Sequence, residues 1–231
     1  MSVHKRQKLP LRRLLSTSSS PISFDPPGNS TLPLQTIHSR LRQWLELQPP
    51  DHFLLIEQDE ELAQIVLTEM RSVLSFPVES CRIKECKSGL LFAGAVPVAL
   101  SMKAKSVRDL LPEHAELVTL QLRSAGDSLA PYLPAPSSAL IGIASRWRTF
   151  LKTARTMLIA AGFHPDSLVL RDASKTNWQR GLKQTVAVIC DAVTAQQLDG
   201  TTRVLPFPLL ARTSLKQLRD YEDFIRTPLV P

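Results

Sequence analysis

From residue 51 onward, short apolar runs with strand character alternate with segments of helical periodicity, and this rhythm restricts the chain more than any other feature. His52–Ile56 reads as a buried strand, and Glu60–Leu74 as a helix with Leu62, Ile65, Val66, Met70, Val73 and Leu74 on one face. Val78–Ile83, the apolar run Leu90–Leu100 and Leu117–Leu122 are further strands, with a short helix at Lys103–Leu111 and a short helix or turn at Ala125–Leu133. The second half repeats the pattern. Strands are expected at Ala139–Ala144, Leu168–Leu170, Val186–Cys190 and Arg203–Leu210, and helices at Thr149–Ala161, Trp178–Gln184 and Leu215–Ile225. About seven strands alternating with helices predict an α/β fold with mostly parallel sheets covered on both faces, as two similar three-layer lobes.

The lobes are expected to meet at the prolines Pro131, Pro134 and Pro136, which divides the chain into 34–135 and 136–231. Residues 1–33 read as a disordered arm, with a basic run, a serine cluster Ser16–Ser20 and Pro26-Pro27-Gly28. A short helix at 36–47 carries Ile37, Leu41, Trp44 and Leu45 on one stripe, which needs a partner surface in this chain or in a twin subunit. The net charge of +7 is concentrated at the start: residues 1–50 hold seven basic and two acidic residues. The remainder is nearly balanced. A basic arm of this kind touches nucleic acid or is simply solvated, and no aromatic residue interleaves with it to stack on bases.

Composition and motifs exclude several classes. No stretch approaches the roughly 18 apolar residues of a membrane helix. Leu9-Pro10-Leu11 is broken by Arg12 and Arg13, so a secretory signal is not expected. An organelle transit peptide suits the Arg/Ser-rich, acid-poor start better, but no amphipathic run is clear. Three cysteines fit a reducing compartment better than a disulfide framework, and a cytoplasmic location is the expectation. There is no G-x-G-x-x-G, no phosphate-binding P-loop and no G-x-S-x-G elbow. The five histidines are isolated, and Cys81 and Cys86 have no second pair to complete a zinc site, so no metal or cofactor is expected. Leu54–Leu62 opens like a response-regulator receiver domain, but Leu90–Leu100 leads to Ser101-Met102-Lys103 without the phosphoacceptor aspartate.

In open α/β sheets, ligands bind at the carboxyl ends of the strands. Those ends carry Glu57, Gln58 and Asp59, Ser101, and Arg123 and Ser124 in the first half. In the second they carry Ser145 and Arg146, Arg171 and Asp172, and Asp191. Arg123 and Arg146 offer guanidinium forks suited to carboxylate or phosphate, and serine hydroxyls at helix starts add hydrogen bonds. The candidate ligand-binding set is Ser145 and Arg146 as anchors, Asp172 and Asp191 across the pocket, and Asp59 and Arg123 from the first lobe. Serine and aspartate at such turns are also ordinary helix caps.

The second half resembles the C-terminal regulatory region of a subgroup of bacterial GntR-type transcriptional regulators. The resemblance rests on Ala139–Arg146, Ala154–Gly162, Leu168–Asp172, Trp178–Leu182, Val188–Asp191 and Ser214–Arg219, and it extends more weakly over residues 35–225. In that family the region follows a winged helix-turn-helix, senses an effector and mediates dimerisation. Ahead of residue 36 the periodicity for such a DNA reader is missing. The resemblance therefore implies a non-catalytic regulatory module that senses a small, in one version anionic, ligand or a partner protein between its lobes. It favours a homodimer, and it leaves open a truncated regulator, a repurposed domain or a DNA-reading partner chain. Two other classes stay open: a motif-less two-lobed enzyme acting on an anionic substrate, and nucleic-acid binding through the arm.

Overall fold

The computed structural model describes residues 50–87, 92–112, 115–123 and 139–226. The expected arm 1–33, the expected helix at 36–47, the expected helix or turn at 125–133 and the expected proline hinge lie outside the described residues. The described chain is α/β, with two four-stranded sheets in which every strand pairing is parallel.

The first sheet consists of β1 (His52–Ile56), β2 (Val78–Cys81), β3 (Ala95–Leu100) and β4 (Val118–Leu120), in the order β2-β1-β3-β4. Alternation along β1 sets its two covers. Phe53 and Leu55 join Val96, Val98 and Leu100 against α1 (Glu60–Arg71), while Leu54 and Ile56 face Cys81, Cys86, Ala99 and Val107 of α2 (Ala104–Arg108). Asp59 starts α1, its Oδ1 accepting from the N–H groups of Glu61 and Leu62 at 3.1 and 3.2 Å.

The second sheet repeats the order with β5 (Ile141–Ser145), β6 (Leu168–Asp172), β7 (Ala187–Cys190) and β8 (Val204–Pro206), as β6-β5-β7-β8. Ile141 and Ile143 pack on Phe150, Leu151, Ala154 and Leu158 of α3 (Arg148–Ala160). That helix ends at Gly162, whose φ of +96° suits glycine, with Phe163 N–H bonded to Leu158 O and Gly162 N–H to Ile159 O. On the other face Ala144, Val188 and Cys190 meet Leu182 and Trp178. Gly142 allows this approach, because a Cβ there would stand 2.9 Å from Leu182 Cδ2 and 3.0 Å from Val188 Cγ2.

Three details differ from the sequence reading. Trp178–Gln184 forms turns and a single 3₁₀ turn at Leu182–Gln184, not a helix, because Asn177 (φ +57°) and Gly181 (φ +83°) interrupt the helical backbone. A short helix, α4 (Ala192–Ala195), follows β7, and β8 is only three residues long. The terminal helix α5 (Arg212–Arg226) falls within 136–231, the sequence-defined second lobe, yet it returns to the first. Leu210 and Leu218 are buried in the core of the first sheet, with Leu215, Tyr221 and Ile225 beside them.

Further contacts fasten α5. Glu222 accepts from the N–H and hydroxyl of Ser75 and from Phe76 N–H, and pairs with Arg226 at 3.4 Å. Burial alone would push the Glu222 carboxyl up, but these donors outweigh it and hold it below the usual range. Leu218→Ala is expected to destabilise the chain by about 2–5 kcal/mol, measured by denaturant unfolding followed through tryptophan fluorescence. A loss under 1 kcal/mol would show that α5 is not part of the first core.

Candidate functional site at the seam between the lobes

The main chain passes between the lobes twice. Gln121–Arg123 continues from β4, and Leu209–Ala211 comes back from β8 toward α5. These two segments lie antiparallel: Arg123 N–H donates to Leu209 O at 2.7 Å and Ala211 N–H to Gln121 O at 2.9 Å, on either side of the Leu122–Leu210 bridge. The buried hydroxyl of Ser214 accepts from Gln121 N–H at 2.8 Å. The lobes thus share a short two-stranded ribbon.

Glu69 of α1 lies against this ribbon. Its two carboxyl oxygens accept from Leu209 N–H and Leu210 N–H at 2.7 and 2.8 Å. Burial pushes its pKa up to about 7; the two N–H donors pull the other way, nearby Asp191 pushes further up, and nearby Arg123 pulls down. Glu69 occupies the apolar stripe of α1, four residues after Ile65 and seven after Leu62, and that misplaced acid is the sequence signal that marks it.

The carboxyl ends of both sheets meet at the same seam. Trp147, just after β5, donates its indole N–H to Asp59 Oδ2 at 2.8 Å, and its ring packs against both cores. Arg146 pairs with Glu61 of α1, with nitrogen–oxygen distances of 3.2–3.3 Å. Ser145 is fully buried, and its hydroxyl accepts from Trp147 N–H at 3.0 Å.

The six residues singled out in the sequence divide by what they touch. Asp59 and Arg146 join the lobes directly, and Ser145 supports the Trp147 backbone. Arg123 belongs to the ribbon and lies near Glu69. Asp191 is 1% exposed and caps α4, its two oxygens accepting from the N–H and hydroxyl of Thr194, both at 2.8 Å. Asp172, opposite Ser145 in the sheet register, accepts from the N–H and hydroxyl of Ser174 and lies 3.9 Å from Arg148. Those Ser174 bonds, with Lys175 and Arg148 nearby, hold its carboxyl below the usual range. Asp59, Asp172 and Asp191 are therefore all committed to capping or turn bonds, and Arg146 is already paired.

Glu57 is different. It follows β1, is 3% exposed, and its Oε1 accepts from Gln58 N–H and Asp59 N–H at 2.8 and 3.0 Å. Its Oε2 has no hydrogen-bond partner, and among the described residues no other buried side-chain nitrogen or oxygen is left so. A buried acceptor without a donor costs about 1–3 kcal/mol.

Other chemistry is limited. Cys81 and Cys86 face each other with 3.4 Å between sulfurs, and burial pushes both thiols up; burial likewise takes Cys190 to about 12. Among the described residues no cluster of three or more His, Cys, Asp or Glu could hold a metal ion, and no helix is long and apolar enough to cross a membrane. An open depression of about 660 Å³ follows the 177–184 loop, with Arg180 and Lys183 as its charged lining.

Fold and seam together define a two-lobed parallel α/β protein joined by a paired ribbon, with the carboxyl ends of both sheets at the junction. Comparison with protein-family models, curated proteins and solved structures returned no match.

The pKa of Glu69 makes the seam sensitive to pH. Relative to the usual 4.5, the folded chain keeps this proton longer than the unfolded chain. The associated stability is full below about pH 4.5 and is lost as pH rises through about 7. Its size is on the order of 3 kcal/mol. Glu69→Gln is expected to flatten the fall in stability between these pH values, measured as denaturation midpoints across the range. An unchanged slope would assign the pH dependence elsewhere.

Proposed function

We propose that this chain is a non-catalytic regulatory module that binds a small ligand between two α/β lobes and answers with a change in how the lobes meet. The observation that carries this reading is the seam. The carboxyl ends of β1 and β5, where α/β sheets take their ligands, are brought together by the Trp147–Asp59 bond across a two-stranded ribbon. A paired ribbon suits hinge motion, since it keeps its own hydrogen bonds while few residues absorb the rotation. The Arg146–Glu61 ion pair at the rim of the seam is part-exposed, contributes little energy and can be exchanged for ligand contacts.

The resemblance to the regulatory region of GntR-type regulators agrees with this reading and adds its context: transcription regulation, a homodimer and a DNA-reading domain that receives the signal. An enzyme would use Glu69 as its acid or base, since its pKa is near neutrality. Both Glu69 oxygens are, however, occupied by Leu209 and Leu210 N–H groups, which suits a fastening role.

The test is a metabolite screen by thermal shift on the full chain, followed by small-angle X-ray scattering with each stabilising compound. A ligand that raises Tm and changes the radius of gyration is the expected result. Arg146→Ala is expected to widen the distribution of lobe separations without ligand. Stabilisation with no change in scattering would remove lobe movement from the mechanism, and no stabilising ligand at all would remove the sensor.

A further inference from the structure

We infer that Glu57 anchors a basic nitrogen of the ligand, an ammonium or guanidinium group, so that the compound sensed is an amine and not a simple anion. This inference rests on the two-lobed ligand-binding reading and names the chemistry of its site.

The argument begins with position. β1 lies between β2 and β3, so its carboxyl end is the point where the strand order reverses, the place where a crevice forms in such sheets. Glu57 occupies that end, and its N–H still bonds to Cys81 O at 3.1 Å, which fixes its backbone to the sheet. The carboxyl group folds over the turn into α1, because Oε1 is held by Gln58 N–H and Asp59 N–H. That leaves Oε2 at the switch point, buried and without a donor. Asp59 ties this turn to the other lobe: its N–H bonds to Glu57, and its carboxylate bonds to Trp147 Nε1. Glu57 is therefore two residues from the contact between lobes.

Charge selects the class of donor. Residues 57–61 carry four acidic side chains. Asp59 is occupied by α1 N–H groups and Trp147, Glu60 by Arg82 and Glu61 by Arg146. Each of these has its donor or counter-charge; Glu57 Oε2 has no donor. An anion entering here would meet like charge, whereas a cationic nitrogen supplies both the missing donor and the opposite charge. Because Oε2 is closed off from solvent in this arrangement, the nitrogen reaches it when the seam parts, and closure then seals the pair.

The test uses ethanolamine, putrescine, agmatine and methylguanidine as probes, with phosphate, succinate and citrate as anionic counterparts, on the full chain. At least one amine is expected to raise Tm saturably. Glu57→Gln, which keeps an acceptor for the two turn N–H groups, is expected to weaken that probe by about tenfold or more in calorimetric titration. Asp166→Asn, which removes an exposed acid elsewhere, is expected to leave it unchanged. Circular dichroism checks the fold. Should the Gln variant not fold, Glu57→Asp, which shortens the reach, is expected to weaken the probe similarly. Binding of wild-type strength in the folded variant overturns the assignment. Stabilisation by anions alone overturns it too while leaving the two-lobed sensor in place, and no stabilisation by either set brings down both.

Discussion

Two backbone crossings join the lobes, and the carboxyl of Glu69 lies across them. If Leu209 and Leu210 lost those acceptors, two N–H groups at the centre of the ribbon would be stranded, one of them fully buried. The ribbon in turn places Leu210 in the first core and directs α5 back over the first sheet, where Leu218 completes the layer. The first lobe is therefore not finished until the chain has built the second and returned. A contiguous lobe 1 would keep α1 and α2 on its two faces but lack the part of the α1-side layer that Leu210 and Leu218 fill.

The same arrangement makes the seam a place of conflicting demands. Glu69 accepts two hydrogen bonds but is driven toward neutrality by burial, with Asp191 pushing in the same direction and Arg123 opposing. Glu57, twelve residues earlier, accepts two bonds at one oxygen and leaves the other without a partner. Neither acid is what a core optimised for stability would contain, since an apolar side chain of similar volume carries no desolvation cost. Costs of this kind gather where a chain binds or moves. Glu69 has its partners and serves the joint; Glu57 keeps an unpartnered oxygen, on which the proposed recognition rests.

Fold class was legible in the chain because strand and helix periods leave different marks. Phe53, Leu54, Leu55 and Ile56 form an unbroken apolar run because β1 is covered on both faces, while Leu62, Ile65, Val66 and Met70 repeat at helical spacing because α1 is covered on one. Asp59 and Asp191 were legible as residues at strand ends that either cap a helix or meet a ligand, but not which of the two. Whether such an aspartate caps a helix or meets a ligand depends on which donors the fold brings within 3 Å, and here the nearest donors are N–H groups of their own helices together with, for Asp59, the indole of Trp147. Arg146 looked like an anion anchor; Glu61, eighty-five positions earlier, is its partner.

Local sequence therefore determined the elements, their alternation and the residues at the carboxyl ends of the strands, since each depends on side chains a few positions apart. Tertiary structure alone decided that α5 returns to the first sheet, that Gln121–Arg123 and Leu209–Ala211 pair, and that Trp147 reaches Asp59. It also decided which of many acids is left with an unused oxygen. Those outcomes depend on contacts between residues up to about 150 positions apart, and a hydrogen bond's partner is set by the packing of whole layers, which no local pattern encodes.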